Sequence, residues 1–246
     1  MIRFLINDGG VRQTAPVLTS MLNESSDDAL LLAHGYVDSQ TLEQLNLPRW
    51  LSRSKKRRLI LLVGLHDKGG VGYASTNPKL VEAAVRYLCR NWELPDRAAD
   101  RVLIYAVEHF HAKFAAVGRF IDDPEMASTF TMDPQRSLLF SPREVVFGSS
   151  NLTQAALHGR NIELDVHIPR GSAALGEFVS KMHTVVSRAI ALTNEPGTFS
   201  QEFTLNLRGI LNERVEELAL HAAKQEARAM DAYSAELIKN LNDPDK

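Results

Sequence analysis

The stretch "EHFHAKFAAVG", Glu108 to Gly118, decides how this chain is interpreted. Side chains of a β-strand point alternately to its two sides. In a strand over these residues, one side would carry His109, His111 and Lys113, and the other would carry apolar residues from Phe110 onward. The apolar side is ordinary for a strand that faces a core. The polar side carries two imidazoles and an ammonium, about 6.6 Å apart at alternate positions. It indicates either a solvated strand face or a site that handles anions.

The composition describes an ordinary globular chain of 246 residues, with 44% hydrophobic residues, 24% charged residues and a net charge of −2. A chain of this kind can bury a sizeable core, and it is not a highly basic coat for nucleic acid. The single Cys89 excludes an internal disulfide framework and a multi-cysteine zinc site. No run approaches the roughly 18 apolar residues of a membrane span, and the first ten residues do not read as a signal peptide. We expect a cytoplasmic protein without a membrane partner.

Short apolar runs typical of strands alternate with amphipathic patterns typical of helices. The predicted strands cover residues 3–6, 29–36, 57–65, 101–107, 110–118, 144–149 and 162–168. The predicted helices cover residues 39–53, 77–92 and 172–192. This alternation predicts an α/β fold, an α/β/α sandwich with a central mixed β-sheet. Residues 118–144 carry three prolines, and we expect a long loop there, beside the site.

From about Ser200 the pattern changes to apolar residues at steps of three and four, which predicts one long amphipathic helix. Its stripe consists of Leu211, Val215, Leu218, Ala222, Met230, Tyr233, Leu237 and Leu241. Glu226 interrupts the stripe. We therefore expect a main domain over residues 1–200 and a C-terminal helical extension over residues 201–246, packed on the same domain or on a dimer partner.

A second polar segment, "FGSSNLTQAALHGRNIELDV", covers residues 147–166. Its strand breaks at Gly148, a residue that allows close approach of backbones. The turn that follows offers neutral donors to an anion from Ser149, Ser150, Asn151 and Thr153. The returning strand alternates, so that Glu163 shares its side with Asp165 and His167. The opposite side, which we expect to face the core, holds Ile162, Leu164 and Val166.

Together, the two segments resemble the motifs of the phospholipase D superfamily, most closely those of bacterial phosphodiesterase nucleases and metal-independent restriction endonucleases. A His-x-Lys strand precedes a Gly-Ser-x-Asn turn and then Asn-x-Glu. The resemblance covers roughly residues 101–168 and rests on His111, Lys113, Gly148, Ser149, Asn151, Thr153, Asn161 and Glu163. In one respect the chain differs, since Gly118 stands where family members often carry an aspartate, five residues after the lysine.

The resemblance implies a phospholipase D-like catalytic domain that cleaves phosphodiesters with no metal and no cofactor. A neutral His111 would attack phosphorus and form a phosphohistidine, or would act as the acid. Lys113 and Asn151 would bind the phosphate, and Glu163 would orient a histidine. Supporting or phosphate-binding roles would fall to Ser149, Thr153 and Asn161.

The resemblance also implies that one active site needs two histidine sets. The other His-x-Lys of the chain, His66 to Lys68, runs straight into two glycines, and no Gly-Ser-x-Asn turn follows it before His111. We therefore expect a homodimer with one composite site, and a degenerate second motif at His66 is the alternative. We expect His34 to be structural or to line the cleft.

The run "RSKKRR", residues 53–58, carries five positive charges. It is either a solvated helix end or a contact to nucleic-acid phosphates. The residues that would make such a contact are Lys55, Lys56, Arg57 and Arg58.

The predicted function is cleavage of DNA by a metal-independent endonuclease or phosphodiesterase, in a restriction or defence system. RNA and other nucleic acids stay open as substrates, and a separate DNA-recognition or helicase/ATPase partner would supply sequence reading. The alternatives are a phospholipase D-type lipid phosphodiesterase and a non-catalytic DNA-binding subunit.

Overall fold

One mixed β-sheet organises the chain in the structure, which is a computed structural model. It describes residues 1–24, 26–65, 78–91, 99–121, 130–133 and 138–241. The strands are β1 (Arg3–Asp8), β2 (Val11–Arg12), β3 (Ala29–His34), β4 (Arg58–Leu65), β5 (Val102–Glu108), β6 (Phe114–Ile121), β7 (Phe130–Asp133), β8 (Leu138–Gly148) and β9 (Glu163–Ile168).

Neighbouring strands follow the order β2-β1-β9-β8-β6-β3-β4-β5, and β7 pairs with β8. The strands β3, β4 and β5 run parallel. From β3 towards β1, successive strands alternate in direction. The carboxyl ends of β3, β5 and β8 therefore meet the amino ends of β6 and β9 at one end of the sheet, which we call the site end.

Helices cover both faces of the sheet. They are α1 (Thr14–Glu24), α2 (Ser39–Leu45), α3 (Leu47–Ser52), α4 (Pro78–Arg90), α5 (Gln154–Leu157), α6 (Ala174–Asn194) and α7 (Phe199–Leu241), and a 3-10 turn at Ala99–Arg101 precedes β5. The first core lies between the sheet and α1 to α4 together with the first half of α7. The second core lies between the sheet and α6.

The strand β3 shows why the sheet must be covered twice. All six of its residues are buried. Leu30 and Leu32 point into the first core, while Ala29 and Leu31 point into the second. A continuous apolar run is typical of a central strand that is buried on both faces. The predicted α/β/α sandwich with a central mixed sheet and a long C-terminal helix is confirmed.

One predicted helix is divided in the structure, because local backbone chemistry ends it early. The helix predicted over residues 39–53 is two helices, because Asn46 adopts a left-handed conformation with φ of 50° and ends α2. Asp38 begins α2 as its N-cap, accepting a hydrogen bond from the Thr41 amide at 2.7 Å. The sequence analysis did not predict α1, whose short apolar stripe is mixed with two threonines and a serine.

The prediction of one long loop over residues 118–144 is wrong. The strand β6 continues to Ile121, β7 occupies the middle of the segment, and β8 begins at Leu138. Residues 122–129 and 134–137 lie outside the described part. The three prolines concealed a strand pair, because Pro142 is tolerated at the β-bulge where the pairing of β6 with β8 shifts register.

Candidate active site

The segment that links β5 to β6 carries His111 and is not a strand. The strand β5 ends at Glu108, and His109 adopts a left-handed conformation with φ of 56° while its amide donates to the Leu65 carbonyl at 2.9 Å. The strand interpretation of residues 109–113 is therefore wrong. Phe110 is buried and holds the segment against the core, so that His111 is exposed at the site end.

Lys113 and His111 are in direct contact. The Lys113 Nζ lies 3.1 Å from His111 Nδ1 and donates to the His111 carbonyl at 3.0 Å. Partial burial and the lysine charge both lower the pKa of His111. Burial also lowers the pKa of Lys113, and the carboxylate of Glu163 opposes that shift. A histidine beside a cation is favoured in its neutral form, which is the form that can attack phosphorus.

Asn151 reaches the same place from the turn after β8. A side-chain carbon at Gly35 would lie 3.5 Å from Asn151 Oδ1 and 3.5 Å from a ring carbon of His111. The amide of Tyr36 donates to Asn151 Oδ1 at 3.0 Å, and the Tyr36 ring meets the His111 ring edge-on at 6.4 Å between centroids. The glycine leaves room for the two polar side chains to flank one surface. The amide nitrogen of Asn151 is a suitable donor to a phosphate oxygen.

Glu163 is buried and held by two neighbours. Its Oε2 accepts a hydrogen bond from Ser149 Oγ at 2.5 Å, and its Oε1 accepts one from Asn161 Nδ2 at 3.2 Å. Ser149 Oγ also accepts from the Leu164 amide at 2.9 Å, which ties the turn to β9. Three residues of the motif therefore form one hydrogen-bonded group. Their arrangement holds the carboxylate of Glu163 near the ammonium of Lys113, where it opposes the lowering of the lysine's pKa by burial.

A buried polar scaffold that sequence analysis did not identify supports the turn. Asp165 accepts from the Ser150 amide at 3.0 Å and from the Thr14 hydroxyl at 2.6 Å. Asn7 donates to the Ser150 hydroxyl at 3.2 Å. A Cβ at Gly148 would overlap Asp165 and the backbone of β9, so that only glycine fits there. A signal was present in the sequence, since Asn7 and Asp165 interrupt apolar strands.

The predicted orientation of β9 is wrong. Glu163, Asp165 and His167 are buried, whereas Ile162 and Leu164 are 82% and 54% exposed. The polar side is the inner one because β1, α1 and the turn supply hydrogen-bond partners there, and Glu144 contacts His167 Nε2 at 2.8 Å. The apolar side lies beyond the reach of α6, which packs on β5, β7 and β8.

His34 lies at the end of β3, beneath the turn. Burial is the main reason that its pKa falls to about 3, and the charge of Lys113 lowers it further while the Ser150 backbone opposes the shift. Within the part of the chain that the structure describes, neither ring nitrogen has a hydrogen-bond partner of normal geometry. A buried histidine with so low a pKa is neutral near pH 7. Its burial agrees with the structural role, which is one of the two sequence interpretations.

Thr153 serves as the N-cap of α5, since its hydroxyl accepts from the Ala156 amide at 3.4 Å. A capping role keeps the helix next to Asn151 in place and explains why a threonine stands there. It does not need a phosphate. His66 and Lys68, the alternative second motif, lie outside the described residues.

The basic run does not adjoin His111. Arg58 begins β4, whose carboxyl end lies at the site end. The run therefore lies at the opposite end of the sheet, about 23 Å away along the eight residues of the strand. Arg57 is 7% exposed, donates to the Trp50 carbonyl at 2.9 Å and stacks over the Trp50 ring. It is therefore unavailable to a nucleic acid, while Lys55 and Lys56 are exposed.

The described residues contain no helix long and apolar enough to cross a membrane. In the same residues, no group of three or more His, Cys, Asp or Glu side chains is placed to hold a metal ion.

Comparisons with known proteins bear on the fold. No family model matches the sequence, and a comparison with curated proteins finds no match. The chain is similar to phosphatidylserine synthase from Haemophilus influenzae, at 13% identity and a TM-score of 0.50, over 88% of this chain and 46% of that one. The chain therefore spans about half of the synthase.

Two smaller proteins also superpose on the chain. One is Nuc from Salmonella typhimurium, a phospholipase D family member, at 13% identity and a TM-score of 0.47, over 78% of this chain and 95% of that one. The other is NucT from Helicobacter pylori, at 10% identity and a TM-score of 0.42, over 78% of this chain and 98% of that one. The likeness of the chain to the synthase concerns the fold alone.

Proposed function

We propose that the chain is a member of the phospholipase D superfamily, from its nuclease branch, and cleaves phosphodiester bonds of DNA without a metal. The observation that carries the proposal is the contact of Lys113 with His111 at the end of the sheet where Asn151 flanks the same histidine. A cation and an amide donor neutralise a bound phosphodiester, so that a neutral imidazole can approach phosphorus without repulsion.

The reaction has two steps, and in each step one bond to phosphorus forms and another breaks. In the first step, a ring nitrogen of His111 attacks phosphorus, the N–P bond forms, and the P–O bond to the leaving strand breaks. A second, protonated histidine gives its proton to that leaving oxygen. In the second step this histidine takes a proton from water, the water oxygen attacks phosphorus, and the N–P bond breaks. Glu163, held by Ser149 and Asn161, orients a histidine in its productive tautomer.

The second histidine would be His111 of a second copy, because the described residues bring one His-Lys pair together. A surface that suits such a copy lies on the strands that carry Glu163 and its neighbours. It consists of Phe4, Ile6, Ile162 and Leu164, which are 70%, 48%, 82% and 54% exposed, and we call it the β1–β9 apolar surface. Exposed apolar side chains that cluster on one sheet face are typical of an interface. A twofold axis beside this surface would bring two site ends together.

Incubation of the purified protein with plasmid DNA, and separately with phosphatidylcholine vesicles, in excess EDTA tests the proposal. We expect strand cleavage of the plasmid and no release of choline. Choline release instead would identify a lipid phosphodiesterase, and DNA binding without cleavage would identify a non-catalytic subunit. Complete loss of cleavage in EDTA that Mg²⁺ restores would contradict the histidine mechanism.

Two variants give the assay a matched control. His111→Ala should abolish turnover and leave the fold intact, because the side chain is exposed. His109→Asn should be much milder, since asparagine tolerates the left-handed backbone at that position. Equal loss in both variants would mean that the wrong histidine has been assigned to the reaction.

A further inference from the structure

The helix α7 has two halves with different surroundings. In the first half, the Ser200 hydroxyl accepts from the Glu108 amide and Arg208 stacks over the Tyr105 ring at 5.1 Å. The packed half ends near Leu218, which contacts the first core. Every residue from 223 to 238 is exposed. We call residues 219–241 the arm; at 1.5 Å per residue it is about 34 Å long.

The arm carries an apolar stripe that its own domain does not cover. Met230, Tyr233 and Leu237 are 71%, 67% and 44% exposed. Their steps of three and four residues put them on one face of the helix, which also holds Ala219, Ala223 and Glu226. The stripe is therefore uneven. Its first half is narrow, with two alanines, and its second half is wide, with a tyrosine and a leucine.

The uneven stripe distinguishes between the ways in which two arms could pair. In a parallel pair, alanines would face alanines at one end and leucines would face leucines at the other, so the helix axes would have to diverge. The two Glu226 carboxylates would also face each other, which is destabilising. In an antiparallel pair centred on Met230, Leu237 of each arm lies opposite Ala223 of the other, and the axes stay evenly spaced. Tyr233 then lies alongside Glu226, and its hydroxyl can donate to that carboxylate.

We infer that the arms of two copies of the chain pair in an antiparallel helix pair centred on Met230. The pairing accounts for Glu226, which interrupts the stripe of a lone helix but gains a partner in the pair. It is separate from the proposed catalytic dimer. The helix α7 runs from Glu108 at the site end towards Cys89 at the other end of the sheet, so that the arm leaves the domain away from His111.

Cysteine cross-linking tests the direction of the pair in the full-length protein. The native Cys89 is buried, which raises its pKa to about 11 and keeps it from reacting. Met230→Cys should form a covalent dimer on mild oxidation, because the two copies of position 230 meet. Leu237→Cys alone should not, because its two copies would be about 21 Å apart along the pair. An equal mixture of Leu237→Cys and Ala223→Cys should cross-link. Self-linking of Leu237→Cys, or no linking by Met230→Cys, would overturn the inference.

Light scattering of charged variants tests the pairing of the two arms without a covalent cross-link. Met230→Lys should halve the mass of the assembly, since two ammonium groups would meet at the centre. Ile238→Lys is the control, because Ile238 is 59% exposed on the same arm but lies off the stripe. It should keep the wild-type mass. Nuclease activity should be the same in both variants, so that a failure of the arm pairing is distinguishable from a failure of the proposed function. Equal mass in Met230→Lys and wild type would contradict the pairing.

Discussion

The ammonium of Lys113 lies 3.1 Å from Nδ1 of His111, and the same side chain donates to the His111 carbonyl. The pair links two residues that are two positions apart on a segment that is not a strand. The contact keeps a cation next to the proposed nucleophile. The carboxylate of Glu163 is close enough to oppose the lowering of the pKa of Lys113 by burial.

Removing the lysine charge should raise the pKa of His111. Burial and Lys113 both lower that pKa in the wild-type protein, and only the first cause remains in Lys113→Met. An NMR titration of the His111 ring in the two proteins measures the difference. Lys224→Met, on the arm, is the control and should leave the His111 titration unchanged. An equal or lower pKa of His111 in Lys113→Met would show that the contact does not form in solution.

His34 should make the fold sensitive to acid. The folded pKa is about 3 against 6.5 for the free side chain, so between these values the unfolded chain binds a proton that the folded chain does not. The free energy of unfolding therefore falls as the pH falls from about 6.5 towards about 3. At 1.36 kcal/mol per unit, His34 alone would account for at most about 5 kcal/mol.

Urea denaturation between pH 7 and pH 4 measures this effect. His34→Leu should give a flatter dependence than the wild-type protein, and His221→Leu, at an exposed position on the arm, should keep the wild-type slope. If the free energy of unfolding depended on pH equally in His34→Leu and the wild type, the predicted effect of His34 on stability would be contradicted. If His34→Leu does not fold, an NMR titration of wild-type His34 decides, because titration near 6.5 would contradict its burial.

Gly148 should tolerate no side chain. A Cβ there would overlap Asp165 and the Leu164 carbonyl, so that Gly148→Ala must separate β8 from β9 or displace the polar scaffold. We expect a loss of about 1–3 kcal/mol in the free energy of unfolding, measured by urea denaturation. Gly176→Ala in α6 is the control, since open space surrounds that position and alanine favours a helix. Equal stability of Gly148→Ala and the wild type would be inconsistent with the close approach of the two strands.

The β1–β9 apolar surface should be needed for activity. Leu164→Glu places a charge on the exposed side of β9, away from the buried Glu163, so it leaves the site residues of its own chain in place and disrupts the proposed catalytic dimer. We expect DNA cleavage to fall at least tenfold. Leu220→Glu, on the arm, is a matched control with similar exposure, 57% against 54%, and should retain activity. A fully active Leu164→Glu would remove this surface from the proposed interface.

The layers of the fold could be predicted from the sequence for physical reasons that are local. Apolar runs such as β3 require burial on both faces, and the two polar segments each follow a strand that ends at the same end of the sheet. The resemblance to the phospholipase D motifs singled out His111, Lys113, Asn151 and Glu163, and the structure brings Lys113 against His111. Each apolar run and each polar segment is a signal carried by residues that are close together in the sequence.

The orientation of β9 and the supporting scaffold depend on contacts between distant parts of the chain. The alternation of polar and apolar residues along β9 does not show which side is the inner one. Asp165 points inward because Thr14 and Ser150, from two other segments, donate hydrogen bonds to it. Leu164 looks like a core residue until the extent of α6 is known. Arg57 reads as a surface charge in a basic run, and only its contact with Trp50 shows that it is buried. These three errors share a cause, because tertiary partners decide which side of each element is the inner one.

The most direct test of the composite site is a mixture of wild-type protein with inactive His111→Ala, with subunit exchange before the DNA cleavage assay. If each site needs His111 from two copies, only pairs of wild-type chains are active, and activity per total protein falls as the square of the wild-type fraction. A mixture of one part wild type to three parts variant should then retain roughly one sixteenth of the activity. Independent sites would retain roughly one quarter, in proportion to the wild-type fraction. That linear result would contradict the two-histidine dimer and would leave one chain to supply both histidines.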